Sequence, residues 1–328
     1  MVFEIFASPD ILVIIYEIIG FLSIPVYILG FYCVIKKCPK SSKTLQRCML
    51  MTCFWSVILD INMTIFVKPL LMFPEFCVST LGVLNYINFP KELQCFSTIF
   101  AMAGVGVSCV CIIENRYHHI KNIRYTPFTV QVFLYSKNLS LTILLLISVY
   151  YYIPEQQNAK RIVFEKLPTL DPELYSLEVF ILSIDKLFTL IQFVVLVFYI
   201  IGQFFMFFAF TYYELFMITN IAMSASTRKF QRLLFIDVTI QSVIPILCIC
   251  IPFIFFAVDG FADYYNQGLN NVMLILFSLH GIVSVSTMVL IHRPFRKFVF
   301  RQKSGNIWNK NNENTRLRQA SIAWMTST

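Results

Sequence analysis

The 328-residue sequence is short of charge. Asp, Glu, Lys and Arg make up 13% of it, where soluble globular chains carry about a quarter. A soluble domain of this length could not cover itself with polar surface, so a water-soluble fold is excluded. Histidine is scarce too: His118, His119, His280 and His292 are the only four. The first two are adjacent, so on a helix they point apart. No H-E-x-x-H, P-loop or GxGxxG stretch is present. The chain therefore reads as not an enzyme, with no cofactor and no catalytic residues. It also lacks a Lys-rich patch with interleaved aromatics outside its apolar runs, which argues against nucleic acid as a partner.

The ten cysteines do not make a metal site. Cys109-x-Cys111 and Cys248-x-Cys250 are too closely spaced for the usual zinc knuckle, and no histidine accompanies either. Within apolar runs a thiol behaves as a small hydrophobe. A basic leader is missing as well: residues 1–10 hold Glu4 and Asp10 and no Lys or Arg. The first apolar run thus reads as an uncleaved span rather than a signal peptide.

What the chain has in abundance is apolar surface, 58% of residues with 34 Phe. A spanning helix needs about 20 mostly apolar residues. Seven stretches qualify, at about 11–35, 48–73, 94–113, 139–153, 187–219, 233–256 and 271–291. The expected fold class is an all-α membrane protein, a seven-transmembrane helix bundle over residues 1–300. A polar, Asn-rich tail, 301–328, has the composition of a disordered segment. The longest polar stretch, 154–185, contains Pro154, Pro168 and Pro172, which forbid one continuous helix. No inverted repeat of the transporter kind is visible.

Charge sets the orientation. Twenty of the 26 Lys and Arg fall in the first, second and third odd-side loops and the tail, five on the opposite side, and Lys68 inside a span. The positive-inside rule places the N-terminus outside and the C-terminus in the cytoplasm. An odd number of spans agrees with that.

Several polar residues lie in or beside spans, where ionisable groups are costly and mark function. Glu114, Asn115, Arg116 and Tyr117 close the third span. Arg116 reads either as an anchor snorkelling to headgroups or as a switch, pairing with Glu114 or with Asp237 of the sixth span and released on activation. Asp60, with Asn62 nearby, is mid-span and needs donors, water or an ion. Its two readings are a structural polar network and a sodium- or proton-linked site. Pro245 and Pro252 each remove a helical hydrogen bond and permit a sixth-span hinge. Glu17, Lys68 and Glu214 lie near span ends, and Phe295–Arg301 fits a helix on the inner leaflet.

These pieces together resemble G-protein-coupled receptors, and in detail the nematode serpentine chemoreceptors of class h (Srh). The matching runs are Lys36-Lys37-Cys38-Pro39-Lys40, Asp60 with Lys68-Pro69, and Ile113 through Tyr117 in place of the family's usual Phe-Glu-Asn-Arg-Tyr. Pro154-Glu155-Gln156-Gln157 with Leu167-Pro168 and Arg293-Pro294-Phe295-Arg296 complete the set. The resemblance implies a chemosensory receptor that binds an external small molecule or peptide and activates a heterotrimeric G protein through Glu114–Tyr117 and residues 220–232. It also implies a multi-pass plasma-membrane location, in the sensory cilium of chemosensory neurons, with membrane lipid as a further partner. The oligomeric state is not legible. Where the family has a cysteine after Leu-Pro, this chain has Thr169, so Cys95 lacks that partner. A Cys77–Cys95 disulfide is the expected substitute. The alternative function is a ligand-gated cation channel subunit of the insect odorant-receptor type, with its N-terminus inside.

Overall fold

A computed structural model describes residues 5–38, 43–121, 128–166, 177–218 and 225–300. The expected tail, 301–328, and Thr169 lie outside the described residues, as does the start of the third inner loop. Seven helices are long and apolar enough to cross a membrane. The first, Pro9–Lys37, starts on a proline and ends on Lys36 and Lys37, charges that suit the negative end of the helix dipole. Its buried residues Leu12, Tyr16, Ile19, Ser23, Tyr27, Gly30 and Val34 recur every three or four positions. That spacing is one helical face. The other face exposes Ile14, Ile18, Phe21 and Ile28, apolar surface that only lipid can solvate.

The second span, Lys43–Phe66, is shorter than the hydropathy pattern suggests. Its last turn, Asn62–Phe66, widens to a π-helix, and the amides of Val67 and Lys68 both bond back to Asn62 O at 2.9 and 3.2 Å. Pro69 follows. It has no amide to donate and disfavours helix in the residue before it. Residues 69–72 are therefore not helix but strand β1, Pro69–Met72, an apolar run mistaken for the end of a span.

β1 pairs antiparallel with β2, Cys77–Thr80, and β2 with β3, Val179–Ile181. The helical bundle thus carries a three-stranded sheet across the end at which the chain begins. The polar 154–185 stretch contributes both β3 and a helix, Gln156–Lys166. Gln156 joins the two, accepting from Ile181 N at 2.9 Å and donating to Ile181 O at 3.1 Å.

The third span, Lys91–Ile120, is the most buried of the seven and the fifth the least. It runs past Glu114–Tyr117, so those residues lie within the helix and not at its end. Gly104 lets it close on the second span, because a Cβ there would enter the ring of Trp55. The fourth helix begins by Phe128 rather than near 139. Lys137 lies over the Tyr199 ring and Asn138 bonds to Gln203 and Tyr199, so these polar residues sit inside the span instead of ending it. The fifth span, Lys186–Met217, is capped by Asp185, whose carboxylate accepts from Phe188 N. The sixth, Ala225–Ala262, holds Pro245 and Pro252, and its 38 residues reach about 57 Å at ~1.5 Å per residue, well beyond the hydrocarbon. The seventh, Gln267–Ile291, leads into a short helix, Arg293–Val299, that buries Phe295.

Candidate functional site

The outer half of the bundle encloses a cavity of about 220 Å³. Spans two, three, five, six and seven wall it, and the sheet lies over it. Among the described residues no charged side chain lines it, and Thr98 supplies the only hydroxyl. Its top is aromatic: Phe73 packs on Phe76 and Phe256 with centroids 4.7 and 4.8 Å apart, and Phe76 stacks on Phe193. Phe256 stacks in turn on Phe277 of the seventh span. The sheet is therefore in direct contact with the helix that carries Pro252.

Polar contacts fasten this sheet on every side. Gln267 and Asn270 donate to Leu71 O and Phe73 O at 3.0 and 3.1 Å. Tyr16 donates to Pro69 O at 3.0 Å, and Lys68 pairs with Glu17 at 2.8 Å. Lys186 pairs with both Glu75 and Asp263. Lys91 meets Glu178 at 2.6 Å, and that hydrogen-bonded ammonium holds the Glu178 carboxyl below the usual range. The expected Cys77–Cys95 disulfide is not formed. All ten cysteines are free, and Cys77 Sγ lies 3.9 Å from Met72 Sδ across the hairpin. Burial raises the Cys77 thiol to about 12, so it stays a protonated, inert hydrophobe.

Below the cavity, Asp60 is buried between spans. Tyr27 donates to its Oδ2 at 2.5 Å, and His280 Nδ1 stands 3.3 Å from its Oδ1. The imidazole Nδ1 hydrogen bond itself goes to Phe277 O at 2.7 Å, so His280 packs beside Asp60 without a hydrogen bond to it. Asn62 is not a partner of Asp60. It accepts from Ser97 instead, at 3.5 Å. Gly281 makes the arrangement possible: a Cβ there would overlap both the Tyr27 hydroxyl and the Asp60 carboxylate.

At the inner end, Glu114, Asn115 and Arg116 are all buried. The expected pairing of Arg116 with Glu114 or Asp237 is not made among the described residues. Glu114 is 3.4 Å from His118, one turn along the same helix. Arg116 Nε has no hydrogen-bond partner. The cations acting on Asp237 are Arg296 and Arg293 of the short last helix. Among the described residues Asp237 forms no ion pair with Arg116, and the short last helix supplies the cations near it. Asn115 accepts from Gln131 at 3.2 Å, and Tyr117 packs on Phe207 and Phe210. His292, just beyond the seventh span, meets Gln241 at 2.7 Å. Burial and the Arg116 charge lower it to about 4.

A family described as "Serpentine type 7TM GPCR chemoreceptor Srh" matches residues 7–303. The chain belongs to this family. It is similar to serpentine receptor class H-72 of Caenorhabditis elegans, 24% identical over 288 residues, covering 86% of this chain and 83% of that one. Its fold is that of squid rhodopsin, with a TM-score of 0.53 at 12% identity over 92% of this chain and 85% of the other. The protein is a chemosensory seven-helix membrane receptor and not an enzyme.

For an Srh receptor, the sequence pointed to Asp60 but not to its partners. His280 was visible as an ionisable residue in mid-span, a signal of function in itself. Tyr27 carried no such signal, because a tyrosine in a span is ordinarily unremarked. The polar start of the seventh span, Gln267 to Asn271, was also passed over. Asn271 holds Phe6 O at 2.7 Å there, tying the beginning of the chain to the sheet's own anchor.

Proposed function

We propose that this receptor takes a small, uncharged external cue into its outer cavity and passes the signal to a heterotrimeric G protein at its inner face. The observation that carries this reading is the apolar cavity under an aromatic ceiling that touches the sixth span. A lining with no charged side chain suits an apolar molecule and offers a peptide or an ammonium nothing to pair with. Movement of Phe256 would be conveyed along a helix weakened by Pro252 and Pro245 toward the inner end. There, Arg116 is a buried cation with an orphan donor, the kind of group that a carboxylate or carbonyl of a docking partner would satisfy. The positive-inside count supports a cytoplasmic position for that end; the plasma-membrane and ciliary locations are the family's implication.

The test joins topology to coupling. An N-terminal epitope is stained in intact cells, and the same cells are screened for cue-driven G-protein activation with wild type and Arg116→Ala. Staining without permeabilisation, activation by wild type and silence of Arg116→Ala at equal surface level is the expected result. An N-terminus reached only after permeabilisation would overturn the reading in favour of the channel-type topology.

A further inference from the structure

Resting on the reading of the cavity as the cue site, we propose that the cue is a neutral, membrane-partitioning apolar molecule that enters sideways from the bilayer, through a window between spans five and six. The route from outside is closed. The residues facing the cavity from above, among them Phe73, Phe76, Val78 and Leu182, are buried. Polar contacts to spans one, five and seven hold the sheet down. Spans two and seven turn buried Leu59, Met63 and Leu274 to the cavity; span three turns buried Val105 and half-buried Thr98, Ile99 and Met102 to it, and its Gly106 packs on Ile200 of the fifth span.

The seam between the fifth and sixth spans is closed at its two ends. At their outer ends Leu190 lies against Gly260, where an added Cβ would come within 3.1 Å of it. At their inner ends Phe208 stacks on Phe235 at 5.3 Å, and Arg232 donates twice to Leu215 O. Between these two closures the facing residues Val197, Ile201, Ile249 and Phe253 are only half-buried, and all four line the cavity. The gap is apolar on both sides, so a hydrocarbon crossing it exchanges one apolar environment for another. A charged or strongly hydrated solute would have to shed its water to do the same.

Size narrows the class further. The cavity, about 220 Å³, exceeds an engineered cavity of about 150 Å³ that takes up benzene. It falls below the range of about 300–1,000 Å³ usual for drug-sized ligands. Small aromatic or short aliphatic molecules fit, and amphiphiles with an ionised headgroup do not.

A narrowed gate slows release of the molecule behind it. That property supplies the test. Full-length receptor in lipid nanodiscs is equilibrated with trifluoromethylbenzene. Exchange between the bilayer and protein-bound pools is measured by fluorine NMR saturation transfer. Ile249→Trp, which narrows the window and, because Ile249 also lines the cavity, lowers occupancy as well, should slow release of the bound pool about tenfold. Ile254→Trp, on the lipid-facing side of the same helix, should not. The double variant Gln267→Ala, Asn270→Ala, which loosens the sheet, should exchange at the wild-type rate. Faster exchange in that double variant, or unhindered release in Ile249→Trp, would each overturn entry by the window. Absence of a bound pool in wild type, or its survival when Thr98→Phe fills the cavity, would instead overturn the cavity itself as the apolar site.

Discussion

His280 and Asp60 face each other across the helix bundle, Nδ1 to Oδ1 at 3.3 Å, with both side chains sealed from solvent. Each keeps a hydrogen bond of its own, Asp60 with Tyr27 and His280 with Phe277 O, so what the pair shares is this one buried contact. His280→Phe should lower the melting temperature in detergent, as should Asp60→Leu. The double variant should lose less than the sum of the two. Coupling on the order of 0.5–3 kcal/mol is the usual range for residues in one polar network. Additive losses would show that the two do not act together.

Gly281 supplies the clearance for that contact. Gly281→Ala places a methyl group where Tyr27 and Asp60 already are, and overpacking of this kind costs about 1–3 kcal/mol. Gly202→Ala is the control, since a Cβ there has nothing within 4 Å. Equal melting temperatures for the two variants would contradict the packing described.

Asp237 lies near Arg293 and Arg296 and forms no ion pair with Arg116 among the described residues. Asp237→Asn should therefore leave basal signalling at the wild-type level, measured by nucleotide exchange on a reconstituted G protein. High constitutive activity in that variant would restore a third-to-sixth-span ion lock.

His292 is held neutral by burial, its pKa lowered to about 4 from the value of about 6.5 expected when it is hydrated. Its folded form thus binds fewer protons than its exposed form. The stability this contributes is complete above pH 6.5 and is lost as pH falls toward 4. The loss amounts to about 3 kcal/mol at most. Melting curves of the detergent-solubilised receptor should fall over that window, and His292→Gln should flatten the fall.

The Lys91–Glu178 pair closes the outer edge of the sheet. Because the Glu178 carboxyl lies below its usual range, the pair's contribution is present above the ordinary carboxylate range and fades as pH drops through the lowered value. Hydrogen exchange of the β2 and β3 amides, taken relative to the intrinsic rate at each pH, should quicken at acid pH in wild type. Glu178→Gln should show that faster exchange already at neutral pH.

Hydropathy and charge made the bundle legible, because lipid imposes a length and an apolar surface on each crossing that no tertiary detail can override. The same signal failed at Pro69–Met72. There an apolar run faces a buried cavity top instead of lipid, and hydropathy cannot tell one apolar solvent from another. Strand β3 was hidden for a different reason: it is only three residues long and is defined by its partner, β2, about a hundred positions earlier. At the site, Asp60, Glu114 and Arg116 stood out because charge in a span is costly. Their partners did not stand out, since pairing depends on which helix faces which. The sheet's anchors at Gln267 and Asn270 were ordinary amides until the backbone carbonyls of Leu71 and Phe73 came beside them.

The outer sheet is held without a covalent bond, all ten cysteines being free. Its integrity is thus indifferent to redox conditions and answers instead to ionic strength and to the competition of water for its amides and ion pairs. No oxidising step is needed to complete it during synthesis. Because each tether is exchangeable and separately breakable, the cover can loosen one contact at a time, giving graded rather than all-or-none exposure of the aromatic ceiling beneath.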